Sequence, residues 1–207
     1  MSEPSGYARD NETLRSIQNR RSVRSFLDAP VGDRDLDSIL QAAHQAPSAH
    51  NQQSWRFIVL RGEKKSALAD LVSAKAADFP RPACALLRMA ARSIISAPVV
   101  IAIANSGALI ERGTELFRVE KNTGRDFFRI MEIQSSAAAV QNLLLAATSL
   151  GLATVWLGVL VLIKHEVLTF LGEPVGEFMA VVPVGYAAKV GVEPAKHPLE
   201  MVVKRLG

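Results

Sequence analysis

The sequence lacks most of the short motifs that reveal a functional site directly. It contains neither Gly-x-Gly-x-x-Gly nor Gly-x-x-x-x-Gly-Lys-Ser/Thr, so neither glycine-rich route to phosphate binding is present. It also contains no His-Glu-x-x-His, no paired cysteines and no Gly-x-Ser-x-Gly, and its four histidines lie far apart, so we assign no metal site and no serine nucleophile. A phosphate-bearing ligand would have to be held by cationic side chains.

Cysteine and aromatic residues are scarce. The single cysteine, Cys84, cannot form an internal disulfide, which favours a reducing compartment such as the cytoplasm. Residues 1–6 lack a basic stretch followed by an apolar one, so we expect no secretory signal. Aromatic residues make up only 6%, the net charge is +4 and the basic residues are dispersed. This composition suits an anionic small molecule and predicts no nucleic-acid partner.

Hydrophobic residues, by contrast, make up 49% of the 207 residues. The length predicts one domain spanning 1–207, and the apolar content indicates either a membrane segment or a large subunit interface. The uncharged run from Ile133 to Ile163 is long enough to span a bilayer, but it contains several polar side chains and Gly151. We interpret it as a buried helix followed by a buried strand, and we expect no membrane partner.

Apolar periodicity predicts an irregular mixture of helices and strands. Helices are predicted at 11–20, 33–46 with Asp33 as N-cap, 63–76, 83–93, 133–150 and 164–171, and strands at 55–60, 98–104, 153–157 and 178–184. Residues 111–128 are charged and are predicted to form a surface helix or lid. We expect residues 1–10 to be flexible and residues 187–207 to form an extended C-terminal arm. The irregular order favours a three-layer α+β domain.

Two polar segments contain the candidate site residues. The first, residues 20–24, places Arg20, Arg21 and Arg24 around Ser22, and guanidinium forks bind phosphate oxygens two at a time. The second, residues 46–55, is a loop rich in Asn and Gln, whose donors and acceptors suit the edge of a ring with alternating carbonyl and NH groups, as in a flavin or a pyrimidine. Taken singly, each segment could also be an ordinary solvated turn.

Together the two segments resemble the FMN-dependent nitroreductase family. The family pattern is Arg-Arg-Ser-x-Arg, a spacer with one helix, then Ala-Pro-Ser-x-x-Asn-x-Gln-Pro-Trp. The matching residues are Arg20, Arg21, Ser22, Arg24, Ala46, Pro47, Ser48, Asn51, Gln53 and Trp55, and further likeness lies at 141–147, 151–158, 182–186 and 197–200. The likeness runs from 17 to 203, with a weak middle at 79–130. Ser54 and Ala153 depart from the family's proline and glycine.

The resemblance implies a nitroreductase-like fold, with a central mixed or antiparallel sheet flanked by helices, and a homodimer with two FMN sites at its interface. The 133–150 helix is expected in that interface. Arg20, Ser22 and Arg24 would hold the phosphate, with Arg21 close by and Lys196 completing the charge. Asn51, with Pro47 and Ser48, would lie against the flavin ring from the other subunit. The backbone near Leu157 and Gly158 would approach the ring, and Gln53 is also expected to bind the cofactor.

The activity implied by the resemblance is hydride transfer from NAD(P)H through FMN to a nitroaromatic, a quinone or a related small acceptor, in a ping-pong sequence. No catalytic side chain is assigned, because the flavin performs the chemistry. Gln53, Trp55 and the 111–128 lid are expected to shape the acceptor pocket. The alternatives are a flavin-modifying or dehalogenating enzyme of the same fold, a non-catalytic FMN-binding protein, and a phosphate-binding module without flavin.

Overall fold

Helices lie on both faces of a four-stranded sheet in the computed structural model, which describes residues 11–118, 120–189, 191 and 193–207. Within these ranges the helices are α1 (Glu12–Asn19), α2 (Asp33–His44), α3 (Gly62–Lys75), α4 (Arg81–Ser96), α5 (Ala108–Phe117), α6 (Lys121–Ser149) and α7 (Lys164–Leu171). The strands are β1 (Trp55–Leu60), β2 (Val99–Asn105), β3 (Ala153–Thr154) and β4 (Glu177–Gly185). Short 3₁₀ helices lie at Ala49–Asn51, Ala76–Asp78, Gly158–Ile163 and Leu199–Met201.

The sheet has the order β1-β2-β4-β3, and its three pairings are antiparallel. At one end of the sheet, Asn105 is the Cα partner of both Trp55 and Glu177. At the other end, Thr154 of β3 lies opposite Val184. We call these the Trp55 end and the Thr154 end, because the two halves of the candidate site lie at these different ends.

The core consists of two apolar layers, one on each face of the sheet. Residues of β2 alternate between them, as strand geometry requires. Ile101 and Ile103 pack with residues of α2 and α6, whereas Val100 and Ala102 pack with residues of α3 and α4. The observed architecture is therefore the three-layer α+β arrangement that was predicted, with an antiparallel sheet at its centre.

The largest differences from the predicted elements are at their ends. Strand β3 ends at Thr154 rather than Leu157, because the chain turns into a 3₁₀ helix at Gly158. The prediction of Asp33 as an N-cap is wrong, since Asp33 is the first residue of α2 and Gly32 occupies the cap position. The 111–128 segment forms parts of two helices, α5 and the beginning of α6. The Glu120 carboxylate caps α6 by accepting the Asn122 and Thr123 amides at 3.0 and 2.8 Å.

The apolar run 133–163 forms most of α6, then β3 and a 3₁₀ helix, in agreement with a buried helix followed by a strand. Among the described residues, none of the helices is both long and apolar enough to cross a bilayer.

The C-terminal segment 193–207 is exposed and has no regular structure apart from the turn at Leu199–Met201, in line with the predicted arm. Several large apolar side chains on it face solvent: Leu199 is 61% exposed, Met201 71%, Val202 68% and Leu206 83%. The predicted flexibility of residues 1–10 lies outside the described residues, as do Val190 and Val192 of the arm.

Arg129 of α6 holds the first residue of β4 through a bidentate ion pair. Its Nε and Nη2 donate to the two Glu177 carboxylate oxygens at 2.7 and 3.0 Å. These hydrogen bonds lower the pKa of the Glu177 carboxyl. Because folding depresses this pKa, the pair stabilises the protein above the unfolded value of about 4.3, and the effect is lost as the pH falls through the folded value.

We expect Arg129→Gln to lower the free energy of unfolding by about 1 kcal/mol near neutral pH, a modest figure because the arginine is partly exposed. The difference from the unmodified protein should shrink in acid. Urea unfolding at neutral pH and at about pH 3 measures both values. Arg125→Gln, an exposed arginine one turn earlier on α6, is the matched control. An equal loss at both pH values would contradict this assignment.

Candidate active site

The arginine-rich segment lies along the β3 edge of the sheet, at its Thr154 end. Ser22 forms a parallel bridge with Thr154, and the Val23 amide donates to the Thr154 carbonyl oxygen at 2.9 Å. Val23 and Phe26 are buried in the core and anchor the segment. Ser22 and Arg24, on either side of Val23, are consequently exposed.

The three arginines of this segment have different surroundings. The Arg21 guanidinium lies 3.3 Å from the Glu193 carboxylate and also donates to the carbonyl oxygens of Gln18 and Arg20. Among the residues that the structure describes, Arg20 and Arg24 have no hydrogen-bonding or ionic side-chain partner. Arg21 therefore attaches the C-terminal arm, and its neighbours offer free cations.

Lys196, Leu157 and Gly158 are the other residues predicted for this side of the candidate site. Lys196 follows Glu193 by three residues, so the chain can place it at most about 10 Å farther from Arg21. Leu157 is buried, and its amide donates to the Val181 carbonyl oxygen of β4 at 2.9 Å, so Leu157 lies on the same edge as Thr154. Gly158 is exposed. The buried Thr154 hydroxyl, which the sequence prediction omitted, has no hydrogen-bond partner among the described residues.

The second half of the candidate site is the loop 47–53, before β1 at the Trp55 end. His50, Asn51 and Gln53 have φ values of 53°, 52° and 51°, in the left-handed region that non-glycine residues rarely adopt. Such strain persists only where the surroundings impose it, and it is concentrated at functional positions. The loop therefore has a constrained and strained backbone.

Hydrogen bonds within the loop hold this conformation. The Gln53 amide donates to Ser48 Oγ at 3.1 Å, and Gln53 Nε2 donates to Asn51 Oδ1 at 2.8 Å. From outside the loop, Ser135 of α6 accepts the Ala49 amide at 3.1 Å. Three of the four loop residues singled out from the sequence thus contact one another, and the fourth, Pro47, is exposed just before them. Nothing in the sequence pattern singled out Ser135.

Helix α5 packs against this loop. Arg112 donates to Gln52 Oε1 at 3.1 Å, and the rings of Phe117 and His50 are 5.3 Å apart. The segment predicted as a lid therefore lies next to the predicted site loop. Trp55, expected to line a pocket, is instead 4% exposed in the core, where its indole nitrogen donates to His44 Nδ1 at 3.1 Å.

The two halves of the site are far apart within one chain. Strand β4 separates the Trp55 end from the Thr154 end by nine residues, or about 25 Å. Three strands lie between the arginine segment and β1, adding about 19 Å across the sheet. Arg20, Ser22, Arg24, Leu157 and Gly158 thus form one group, and Pro47, Ser48, Asn51 and Gln53 form another.

Comparison with known proteins identifies the family. The model of the Nitroreductase family matches residues 17–186. A Methanothermobacter thermautotrophicus protein that carries the name NADH dehydrogenase/NAD(P)H nitroreductase is 32% identical over 182 residues, covering 86% of this chain and 78% of the relative. A Thermus thermophilus NADH dehydrogenase is 29% identical over 201 residues, covering 89% and 91%. The crystal structure of a nitroreductase with bound FMN from Desulfitobacterium hafniense is 25% identical, with a TM-score of 0.71, and covers 96% of this chain and 100% of that one. The chain belongs to the nitroreductase family.

Proposed function

We propose that this protein is an FMN-dependent oxidoreductase that uses NAD(P)H to reduce nitroaromatics, quinones or similar small acceptors, at two sites shared by a homodimer. The observation that carries the proposal is the pair of complementary half-sites at opposite ends of the sheet. One offers unpaired cations, and the other offers an array of amide groups with a fixed backbone. FMN is shorter than their separation, so a single chain cannot contact it with both.

The cationic half suits the phosphate of FMN. Arg20 and Arg24 carry guanidinium groups without partners among the described residues, and the exposed Ser22 hydroxyl lies between them in the sequence. Together these groups can donate several charge-assisted hydrogen bonds to one phosphate. Lys196 on the arm adds a further cation. Arg21 contributes indirectly, by holding the arm through Glu193.

The remaining groups suit the flavin ring. Gly158 is exposed and has no side chain, so a planar ring can approach the backbone beside Leu157. Asn51, Ser48 and Gln53 of the second chain offer donors and acceptors to the ring edge. When bound, FMN supplies the hydride chemistry. The protein's part is to hold the ring, exclude water and position the acceptor, with no catalytic acid or base assigned.

Names of relatives agree with this chemistry. The Methanothermobacter thermautotrophicus relative is named for NAD(P)H-dependent nitroreduction, and the Desulfitobacterium hafniense structure contains FMN. The single cysteine, Cys84, is compatible with action in a reducing compartment, for which we propose the cytoplasm.

The dimer is proposed to form through α6. A groove of about 440 Å³ lies between α1, α2 and α6, with Leu145 on its wall. Two apolar residues, Ile17 of α1 and Leu150, which directly follows α6, are each 40% exposed. Such a surface, together with the exposed apolar side chains of the arm, suits burial against a second copy.

We expect Leu145→Glu to yield a monomer at micromolar concentration and to release FMN, because a charge in an apolar interface is costly to desolvate. Light scattering and the flavin content after gel filtration measure the two effects. Leu86→Glu on α4 replaces another partly exposed leucine and should leave both unchanged. An unmodified protein that is already monomeric while retaining FMN would overturn the shared-site proposal.

The activity itself is tested on the purified protein reconstituted with FMN. The expected result is a flavin absorption spectrum that bleaches with NADH or NADPH in the absence of air and recovers on addition of nitrobenzene or a quinone. Loss of the cofactor during turnover would indicate a flavin-modifying enzyme. Flavin binding without acceptor reduction would indicate a non-catalytic binding protein, and absence of flavin binding would leave only a phosphate-binding module.

A further inference from the structure

We propose that Glu132 of α6 positions α5, which contains the first part of the predicted lid, and thereby determines which electron acceptors fit. The claim about electron acceptors rests on the proposed function. Glu132 is 2% exposed, and its Oε1 accepts the Leu109 amide at 2.8 Å. Leu109 is in the first turn of α5, where amides have no partner within the helix. The carboxylate therefore caps α5 from a neighbouring helix.

The local sequence of α5 caps the Ala108 amide, which donates to Ser106 Oγ at 3.4 Å, but it offers no side chain to the Leu109 amide. Its N-cap position is Gly107, which has a φ of 80° and no side chain to accept a hydrogen bond. A carboxylate at the positive end of the helix dipole compensates for this lack. The first turn of α5 is thus held by a residue 23 positions later in the chain.

Stability alone does not explain this buried carboxylate. Its second oxygen, Oε2, has no partner among the described residues, and the same is true of the buried Asn105 Nδ2 and Ser54 Oγ. Buried polar groups with unused donors and acceptors are costly, and an apolar side chain of similar size often serves as well or better. What an apolar side chain cannot do is accept the Leu109 amide and so hold the first turn of α5.

The face of α6 that carries Glu132 also bonds to the site loop and to the sheet. Ser135 accepts the Ala49 amide of the site loop, and Ser136 donates to Asn105 Oδ1 at the end of β2. One turn of α6 is thereby hydrogen-bonded to the lid, to the loop and to the sheet. A change at Glu132 should release the lid while leaving the loop and the sheet in place.

The other end of α5 shows why its position matters. Phe117 contacts both His50 of the loop and Phe128 of α6, with ring centroids 5.3 and 5.5 Å apart. In the middle of α5, a Cβ added to Gly113 would lie 2.5 Å from the Phe128 ring, so the two helices are closely packed. A shift of the first turn would therefore move the side chains that border the loop.

The test compares Glu132→Met, which keeps the approximate length but removes the acceptor, with Glu132→Gln, which keeps an acceptor oxygen and loses the charge. Glu115→Gln, an exposed acid on α5, is the matched control. Hydrogen exchange of the amides of α5 measures the anchoring. We expect about tenfold faster exchange in the Met variant, a smaller effect in the Gln variant and none in the control.

The preference between electron acceptors is measured as the ratio of kcat/KM for menadione, a two-ring quinone, to kcat/KM for nitrobenzene. We expect this ratio to change by about tenfold in the Met variant, with most of the change restored in the Gln variant and with flavin content unchanged. Unchanged exchange in α5 would overturn the anchoring role, and faster exchange with an unchanged ratio would overturn the role in specificity. A wild-type protein that holds no flavin would instead count against the proposed function. The hydrogen-exchange measurement needs no flavin, so it still tests the anchoring role.

Discussion

Replacing Arg24 with alanine should weaken FMN binding roughly 10- to 100-fold, since a bidentate contact between a guanidinium and a phosphate contributes about 1.5–3 kcal/mol. The structure makes this expectation specific to Arg24. Its side chain has no ionic partner among the described residues, and the buried Val23 beside it fixes the backbone to the edge of β3. Removal of the guanidinium therefore breaks no hydrogen bond or ion pair with the described residues that would complicate the measurement.

Titration of the flavin-free protein with FMN, followed by quenching of flavin fluorescence, gives the dissociation constant. Arg34→Ala on α2 produces the same change in net charge at an exposed position away from the arginine segment and should leave the constant unchanged. Arg21→Ala should loosen the C-terminal arm and weaken FMN binding less than Arg24→Ala. Equal FMN affinity in Arg24→Ala and the unmodified protein would show that Arg24 does not bind the phosphate.

Two inactive variants should restore activity when their subunits are mixed. One variant carries Arg20→Ala with Arg24→Ala, and the other carries Ser48→Ala with Asn51→Ala. If each site takes its arginines from one chain and its loop from the other, a mixed dimer contains one intact site and one doubly damaged site. Random exchange at equal amounts should then recover about one quarter of the wild-type activity per chain.

The measurement requires unfolding and refolding the two variants together, with each refolded alone as a control. Bound FMN should rise together with activity, since both depend on the intact site. The geometric reason for this expectation is the separation of the two half-sites across and along the sheet, which FMN cannot span. No recovery in a verified mixed dimer would mean that each site belongs to one chain, contrary to the proposal.

Regular apolar patterns made most of the fold predictable. β2 is uniformly apolar up to Asn105 and lies between β1 and β4, as a central strand should. β3 was predicted too long because the apolar run after Thr154 is compatible with either a strand or a buried helical turn. The pattern could not show that Gly158 begins a 3₁₀ helix.

Segment 111–128 was harder to assign, because its many charges mask any apolar stripe. The structure divides it between α5 and α6 near Arg118, whose φ of 50° ends α5. Glu120 then caps the next helix. The Glu132 carboxylate that caps α5, and the position of α5 against loop 47–53, depend on contacts between distant parts of the chain, which periodicity does not report.

The candidate site was predictable as a set of residues but not as an arrangement. The family resemblance placed Arg21 only close to the phosphate, but the sequence could not identify the partner of Arg21, because Glu193 is far away in the chain. It also gave Trp55 a role at the surface, although a tryptophan that begins a strand can equally turn into the core. Glu132 and Ser135 escaped notice because single polar residues on a long helix are usually solvated.

Strand β4 has a consequence for how this protein can vary. From Phe178 to Gly185 it is buried, and β2 and β3 pair with it, so inserting or deleting one residue would turn every later side chain to the wrong face. In the proposed dimer each chain contributes to both sites, so the length of β4 sets the distance between the two half-sites of a chain and thereby affects both FMN sites. Insertions and deletions should therefore be tolerated at the exposed turn around Pro174 and Val175, and not within β4.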